Sequence, residues 1–180
     1  MPKGSGEPFG PGAPLEGVEE LVRRAQRGDA VALDRLVAEL LPYLGRICGA
    51  IALERGDDAL QEAMLMVVRK LGTLREPAAV KAWARRIAVR EAVRAAHAGR
   101  AVPVDPDDLA TTVSVPDGAT EAEVRDVLGS LAPEHRTVLV LRHLDGLSEL
   151  EVADALGVAV GTVKSRTNRA RRAFRDRWSA

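Results

Sequence analysis

Near the C-terminus, Thr162, Ser165, Arg166 and Arg169 recur at i, i+3, i+4 and i+7, flanked by Lys164, Arg171, Arg172 and Arg175. On an α-helix that spacing gathers two hydroxyls and two guanidinium groups on one face. Such donors read base edges in a major groove, and the flanking cations can neutralise phosphates. Val163, Thr167, Ala170 and Phe174, at i, i+4, i+7 and i+11, take the opposite face and are expected to pack inward. The alternative is a helical hairpin whose basic face is merely solvated. Seven cations within residues 160–180 are hard to reconcile with that alternative.

Two further clusters could do chemistry. Asp57, Asp58, Gln61 and Glu62 pair at i, i+4 as 57/61 and 58/62, offering carboxylates to a basic partner surface. Acids at a helix start also oppose the helix dipole, and the two readings are compatible. Lys81, Arg85, Arg86, Arg90 and Arg94 make a second cationic helix, suited to a nucleic-acid backbone. Catalytic constellations are missing. His97, His135 and His143 show no metal-ligand spacing, and Cys48 sits on an apolar helix far in sequence from any histidine. No metal, no cofactor and no catalytic activity of its own are expected.

The elements that must position these residues are helical. Scarce aromatics and abundant alanine disfavour a sheet, and no strand alternation competes. Residues 1–14, with four prolines and four glycines, read as a disordered tail. Val18, Leu21, Val22 and Ala25 mark a first helix that stops near Gly28. Asp29 caps a second, whose stripe runs Leu33, Leu36, Val37, Leu40, Leu41, Leu44, Ile47, Ile51, with Pro42 bending or dividing it. A third covers about 58–71. A fourth covers about 78–97, with Val80, Trp83, Ala84 and Ile87 inward. Residues 101–119 carry prolines and aspartates without helical period and read as an extended linker. Beyond it, Thr120/Glu123 and Ser148/Glu151 form capping boxes, Pro133 opens another helix, and Gly157 turns the chain into the basic helix. A short helix, a glycine turn and a second helix make the helix-turn-helix plan. The expected fold is all-α, with two small helical domains, 15–100 and 120–180, joined by the linker.

Net charge is zero, with 26 basic and 26 acidic residues, which argues against a diffuse cationic nucleic-acid binder. By segment the picture changes. Residues 16–68 balance to −4, 69–100 to +7, 101–120 to −4, 121–159 to −5 and 160–180 to +6. Two basic segments, each following an acidic one, suit two separate anionic contacts. One cysteine excludes an internal disulfide framework, and no apolar run approaching a membrane span and no signal-peptide core are apparent. A reducing, cytoplasmic location without membrane insertion is expected.

Gly146-Leu-Ser148, Glu151-Val-Ala153, Leu156-Gly157-Val158, Gly161-Thr-Val-Lys-Ser-Arg166 and Arg169-Ala-Arg171 resemble region four of the extracytoplasmic-function (ECF) sigma factors. Asp58-Ala-Leu-Gln-Glu62 is similar to the D-x-x-Q-E signature of region two, and Trp83, Ile87 and Ala88 to its W-x-x-x-I-A motif. The resemblance implies a subunit that binds bacterial RNA polymerase core and directs initiation at promoters, working on the nucleoid. It implies docking of Asp57, Asp58, Gln61 and Glu62 on the β′ clamp helices. It places Thr73, Arg75, Lys81, Arg86, Arg90 and Arg94 toward the melted −10 element. Thr162, Lys164, Ser165, Arg166, Arg169 and Arg172 would read the −35 element, with the β flap as a further contact and an anti-sigma factor as a possible partner. Arg90 and Arg94 depart from the asparagine and aspartate usual in the family, and Thr167 from an inward leucine. Two other readings are distinguishable by assay. A stand-alone helix-turn-helix regulator would bind a palindromic operator as a dimer without polymerase. A polymerase-binding module without DNA readout would bind core and not initiate.

Overall fold

The computed structural model describes residues 17–98 and 120–178. The tail at 1–14 and the linker at 101–119 lie outside the described residues. Within them the chain is helical and contains no strand. The first unit comprises α1 (Val18–Gln26), α2 (Ala30–Ala52), α3 (Gly56–Lys70) and α4 (Val80–Ala98). The second comprises α5 (Glu121–Ser130), α6 (Pro133–Leu139), α7 (Glu149–Leu156) and α8 (Val160–Trp178).

Local chemistry sets the boundaries. The Asp29 carboxylate accepts from Ala32 N–H at 3.0 Å and is gripped by Arg24 at 2.6 and 2.8 Å, which caps α2 and holds the Asp29 carboxyl below its usual range. Pro42 does not divide α2, which runs unbroken through it. The carbonyl four residues back belongs to exposed Ala38, where water can replace the missing amide. Between α2 and α3 the backbones nearly touch. A Cβ at Gly56 would fall 2.7 Å from Gly49 Cα, so this close approach requires glycine at position 56.

Helix α2 is the axis of the first unit, with Leu36, Leu40, Tyr43, Leu44, Ile47 and Ile51 almost wholly buried against α1, α3 and α4. Its apolarity needs a correction to the sequence reading. The stretch Ala30–Thr73 contains an 18-residue window of mean hydropathy 1.6, long and apolar enough to cross a membrane. Here 44% of that window is buried against neighbouring helices. Leu41, expected on the inward stripe, is 44% exposed, while Leu33 and Val37 are half-buried. On α4 the buried face runs Val80, Ala84, Arg85, Ala88, Val89 and Ala92, so Trp83 and Ile87 flank the core instead of filling it.

The two units pack on each other. Helix α4 lies against α6 and α7, and α2 against α6. Arg136 of α6 is buried, donating to the Ile51 carbonyl of α2 at 2.7 Å and to the carbonyls of Leu128, Gly129 and Leu131. It satisfies carbonyls that the ends of α2 and α5 leave without helical partners.

Candidate nucleic-acid interface

Both arms of the helix-turn-helix are fixed by short-range bonds. Glu151 N–H donates to Ser148 Oγ at 3.3 Å, and Ser148 N–H donates to Glu151 Oε2 at 2.8 Å, closing the capping box of α7. These bonds hold the Glu151 carboxyl below its usual range. Gly157 closes α7 at φ 66°, and Val158 N–H donates to the Ala153 carbonyl at 3.1 Å. That left-handed glycine sets the angle between α7 and α8.

Helix α8 then sorts by face as its spacing predicts. Val163, Thr167, Ala170 and Phe174 are buried, and Phe174 stacks on Trp178 at 5.6 Å. Lys164, Ser165 and Arg172 are exposed, with Thr162, Arg166 and Arg169 half-buried between the faces. Ser165 Oγ donates to the Thr162 carbonyl at 3.0 Å, and Arg169 lies back on Ser165 O and Oγ, both at 3.4 Å. Thr162, Ser165 and Arg169 thus form one ordered ridge. Behind it sits His135, whose pKa is lowered by burial first and then by Arg169 and, less strongly, Arg166. Thr167 departs from good packing, since its buried hydroxyl has no hydrogen-bond partner.

The α4 residues do not all reach one surface. Arg86, Arg90 and Arg94 are exposed at i, i+4 and i+8. Arg94 pairs with Glu91, and Arg86 reaches across the seam to Asp154 of α7 at 3.1 Å. Lys81 is half-buried, its ammonium 4.7 Å from the Tyr43 ring centre. Arg85 corrects the sequence reading outright. It is 8% exposed and turned toward Tyr43 and Asp145, so it cannot face a nucleic-acid backbone in this arrangement. Thr73 and Arg75 are exposed in the turn before α4, with Thr73 Oγ1 donating to the Lys70 carbonyl at 2.7 Å.

Asp57, Asp58, Gln61 and Glu62 stand exposed along α3, gathered on one side as expected. The sequence reading missed what lies beside them. Leu41, Leu65 and Val68, each at least 40% exposed, open a groove of about 550 Å³ between α2 and α3 that Asp57 and Gln61 border. A second cleft, about 490 Å³, opens at the seam between the units and is lined by Leu53, Leu128, Val140, Leu144 and Phe174, with Arg46 and Arg125. The signal for the groove was present in Leu65 and Val68, apolar residues of α3 for which the sequence reading gave no partner. Cys48 is buried, and burial pushes its thiol up to about 12. Among the described residues, no group of three His, Cys, Asp or Glu side chains could hold a metal ion.

Residues 36–101 match the family model of sigma-70 region 2, and residues 121–174 that of sigma-70 region 4. The RNA polymerase sigma-H factor of Pseudomonas aeruginosa is 33% identical over 178 residues, covering 87% of this chain and 91% of its own. The ECF RNA polymerase sigma factor SigM of Mycobacterium tuberculosis H37Rv is 36% identical over 159 residues, covering 84% and 80%. The chain belongs to the ECF sigma factors of the sigma-70 family. Solved structures agree on the fold. CnrH, in complex with the cytosolic domain of CnrY, aligns with a TM-score of 0.64 at 23% identity, over 91% of this chain and 97% of that one. The sigma factor RpoE from Bartonella quintana, in complex with the anti-sigma factor NepR, aligns at 0.58 and 21% identity, over 79% and 94%. With both sigma regions present in order, this sigma factor acts in RNA polymerase initiation, and the stand-alone regulator is not favoured. Its relatives are transcription initiation factors rather than enzymes.

Proposed function

We propose that region two docks on core polymerase through Asp57, Asp58, Gln61 and Glu62, with the Leu41–Leu65–Val68 groove supplying apolar contact beside the acids. Arg86, Arg90 and Arg94, with Thr73, Arg75 and Lys81, face the −10 element. Region four reads the −35 major groove with Thr162, Ser165, Arg166 and Arg169, while Lys164 and Arg172 neutralise flanking phosphates. The observation that carries this reading is the partition of α8, whose core face is buried while Lys164, Ser165 and Arg172 are exposed and Thr162, Arg166 and Arg169 are half-buried beside them. Such a helix can enter a groove without unfolding its own domain.

The chain works on the nucleoid, contacts the β′ clamp helices and the β flap of polymerase, and has no catalytic turnover of its own. CnrH was solved with the cytosolic domain of CnrY and the Bartonella RpoE with the anti-sigma factor NepR, so an anti-sigma factor is proposed here too. Reconstitution with bacterial core polymerase tests the whole assignment. Promoter-dependent run-off transcripts are the expected result. Duplex binding without transcription at any promoter, or turnover without polymerase, would overturn it.

A further inference from the structure

Asp145 lies just past the last turn of α6, which widens into a π-helix over Val140–Leu144. It is 5% exposed, yet the side chains that bond or electrostatically influence its carboxylate, Tyr43, Arg85, Lys81 and Arg46, all come from the other region. Tyr43 of α2 donates its hydroxyl to Oδ2 at 2.9 Å, and Arg85 of α4 reaches the same oxygen at 3.5 Å. Arg85 also bonds the Tyr43 hydroxyl at 3.4 Å. Lys81 of α4 and Arg46 of α2 add positive potential. A carboxylate of region four is therefore plugged into a cationic socket of region two. Around it, Arg86 meets Asp154 at 3.1 Å and His97 meets Glu134 at 3.1 Å, again from α4 to region four.

This closure conflicts with promoter geometry. Elements centred near −10 and −35 lie about 25 base pairs apart, or about 85 Å along B-form DNA. A packed chain of 180 residues has a radius of gyration of only about 16 Å. In the closed form α4 touches α7, the first arm of the −35 reader. The two regions must separate before one chain can engage both elements. The 21 residues between Ala98 and Thr120 permit a separation of up to about 75 Å. The closed form also withholds cations unevenly. It holds Lys81 and Arg85 at the socket and ties Arg86 to Asp154, while the ridge of α8 stays open.

We propose that Asp145 is an autoinhibitory latch that holds region four closed over the −10-facing helix α4 in the free sigma factor, and that promoter engagement requires its withdrawal from the Arg85–Tyr43 socket. Its consequence for transcription rests on the sigma-factor assignment, whereas the closure itself does not. A buried carboxylate paired this way is a switch because removing it strands the buried Arg85 guanidinium, which only separation can rehydrate. Core polymerase binding the open form would then pay the closing equilibrium, weakening its apparent affinity by the open fraction.

The test compares the full chain with Asp145→Arg and with Arg85→Asp/Asp145→Arg, which restores a pair in swapped order. Small-angle scattering should show Asp145→Arg larger in radius of gyration by about 3 Å or more. The swapped pair should return toward the parent value. Asp145→Arg should bind core polymerase about tenfold more tightly. Equal dimensions and equal core affinity in all three, with helical circular dichroism intact, would overturn the latch. A second arm does not depend on that variant folding. His97→Cys/Glu134→Cys, bridged by a short bis-maleimide, fixes the closed form, and buried Cys48 is unreactive to the reagent. Bridged protein should lose promoter run-off that the unbridged protein retains, and equal run-off from both refutes the proposal. If the unbridged and parent chains both fail to initiate, the assignment of function fails, while scattering still decides the closure.

Discussion

Truncating Arg166 to alanine is the sharpest test of how α8 reads DNA. Arg166 is half-buried on α8, adjacent in sequence to Ser165 of the Thr162–Ser165–Arg169 ridge. A bidentate arginine–guanine contact discriminates by about 1–3 kcal/mol, or about 5- to 150-fold between right and wrong bases. Arg172 is exposed and flanks the ridge, so its loss removes a phosphate contact. Arg172→Ala should weaken every sequence alike and reduce the salt slope by about 0.9. The assay is holoenzyme binding to a promoter panel with each −35 position substituted, repeated at several salt concentrations. Arg166→Ala should flatten the preference at one or two adjacent positions and leave the rest. His135 supplies an internal check on the geometry by NMR titration. Its depressed pKa should rise in Arg166→Ala and rise further in Arg169→Ala, because Arg169 exerts the larger effect. Uniform weakening of all sequences by Arg166→Ala and Arg169→Ala, with unchanged preference, would refute base reading by this face.

Three shorter expectations follow from other parts of the molecule. Reversing Asp58 and Glu62 to arginine should weaken core polymerase binding about tenfold or more while leaving helical content intact, and unchanged affinity in a pull-down titration would remove α3 from the docking face. Thr167→Val keeps the shape of the buried residue and deletes its unpartnered hydroxyl, so stability should rise by about 1 kcal/mol, or about 2–4 °C in thermal unfolding. Burial, together with Arg169 at His135 and Arg171 at His143, lowers both imidazole pKa values below the ordinary 6.5. The fold therefore favours the neutral rings, and their contribution is complete above about pH 6.5 and lost as pH falls below it. His135→Gln/His143→Gln should lose less stability than the parent between about pH 7.5 and about pH 5.5. Asp145, whose carboxyl burial pushes upward, titrates in the opposite sense, so the difference between the two proteins is the quantity to compare.

What was legible in the sequence was local. Asp29, Thr120 and Ser148 cap helices because a side-chain oxygen and an amide three residues on are enough to do so, and all three bonds form. The faces of α8 were legible because one short period governs them. Arg85 was not. Its spacing groups it with Lys81 and Arg86, and nothing within a helical turn marks it for burial. The deciding partner is Asp145, 60 residues away, and Tyr43 completes the socket from 42 residues in the other direction. Leu41 failed for a related reason: an apolar residue adjoining a helical stripe is drawn into it on paper, while the groove between α2 and α3 leaves it exposed.

The same long-range pairing changes what neutrality means for this sigma factor. A zero net charge first argues against nucleic acid, and division by segment turns it into alternating acid and base. The structure shows which of those blocks meet. The +7 segment that contains α4 packs against the −5 segment that contains α6 and α7, through Arg85–Asp145, Arg86–Asp154 and His97–Glu134. The +6 block of α8 keeps its Thr162–Ser165–Arg169 ridge toward solvent, and the exposed acids of α3 lie on the other unit. Closure thus consumes part of the −10-facing charge and spares the −35 ridge. Salt acts on this seam unequally. Arg86 and Asp154 are largely exposed and screened, whereas Asp145 sits where water and ions have little access. Ionic strength alone should loosen the rim of the closed form without releasing its latch, so the step that opens the molecule must supply binding energy from a partner.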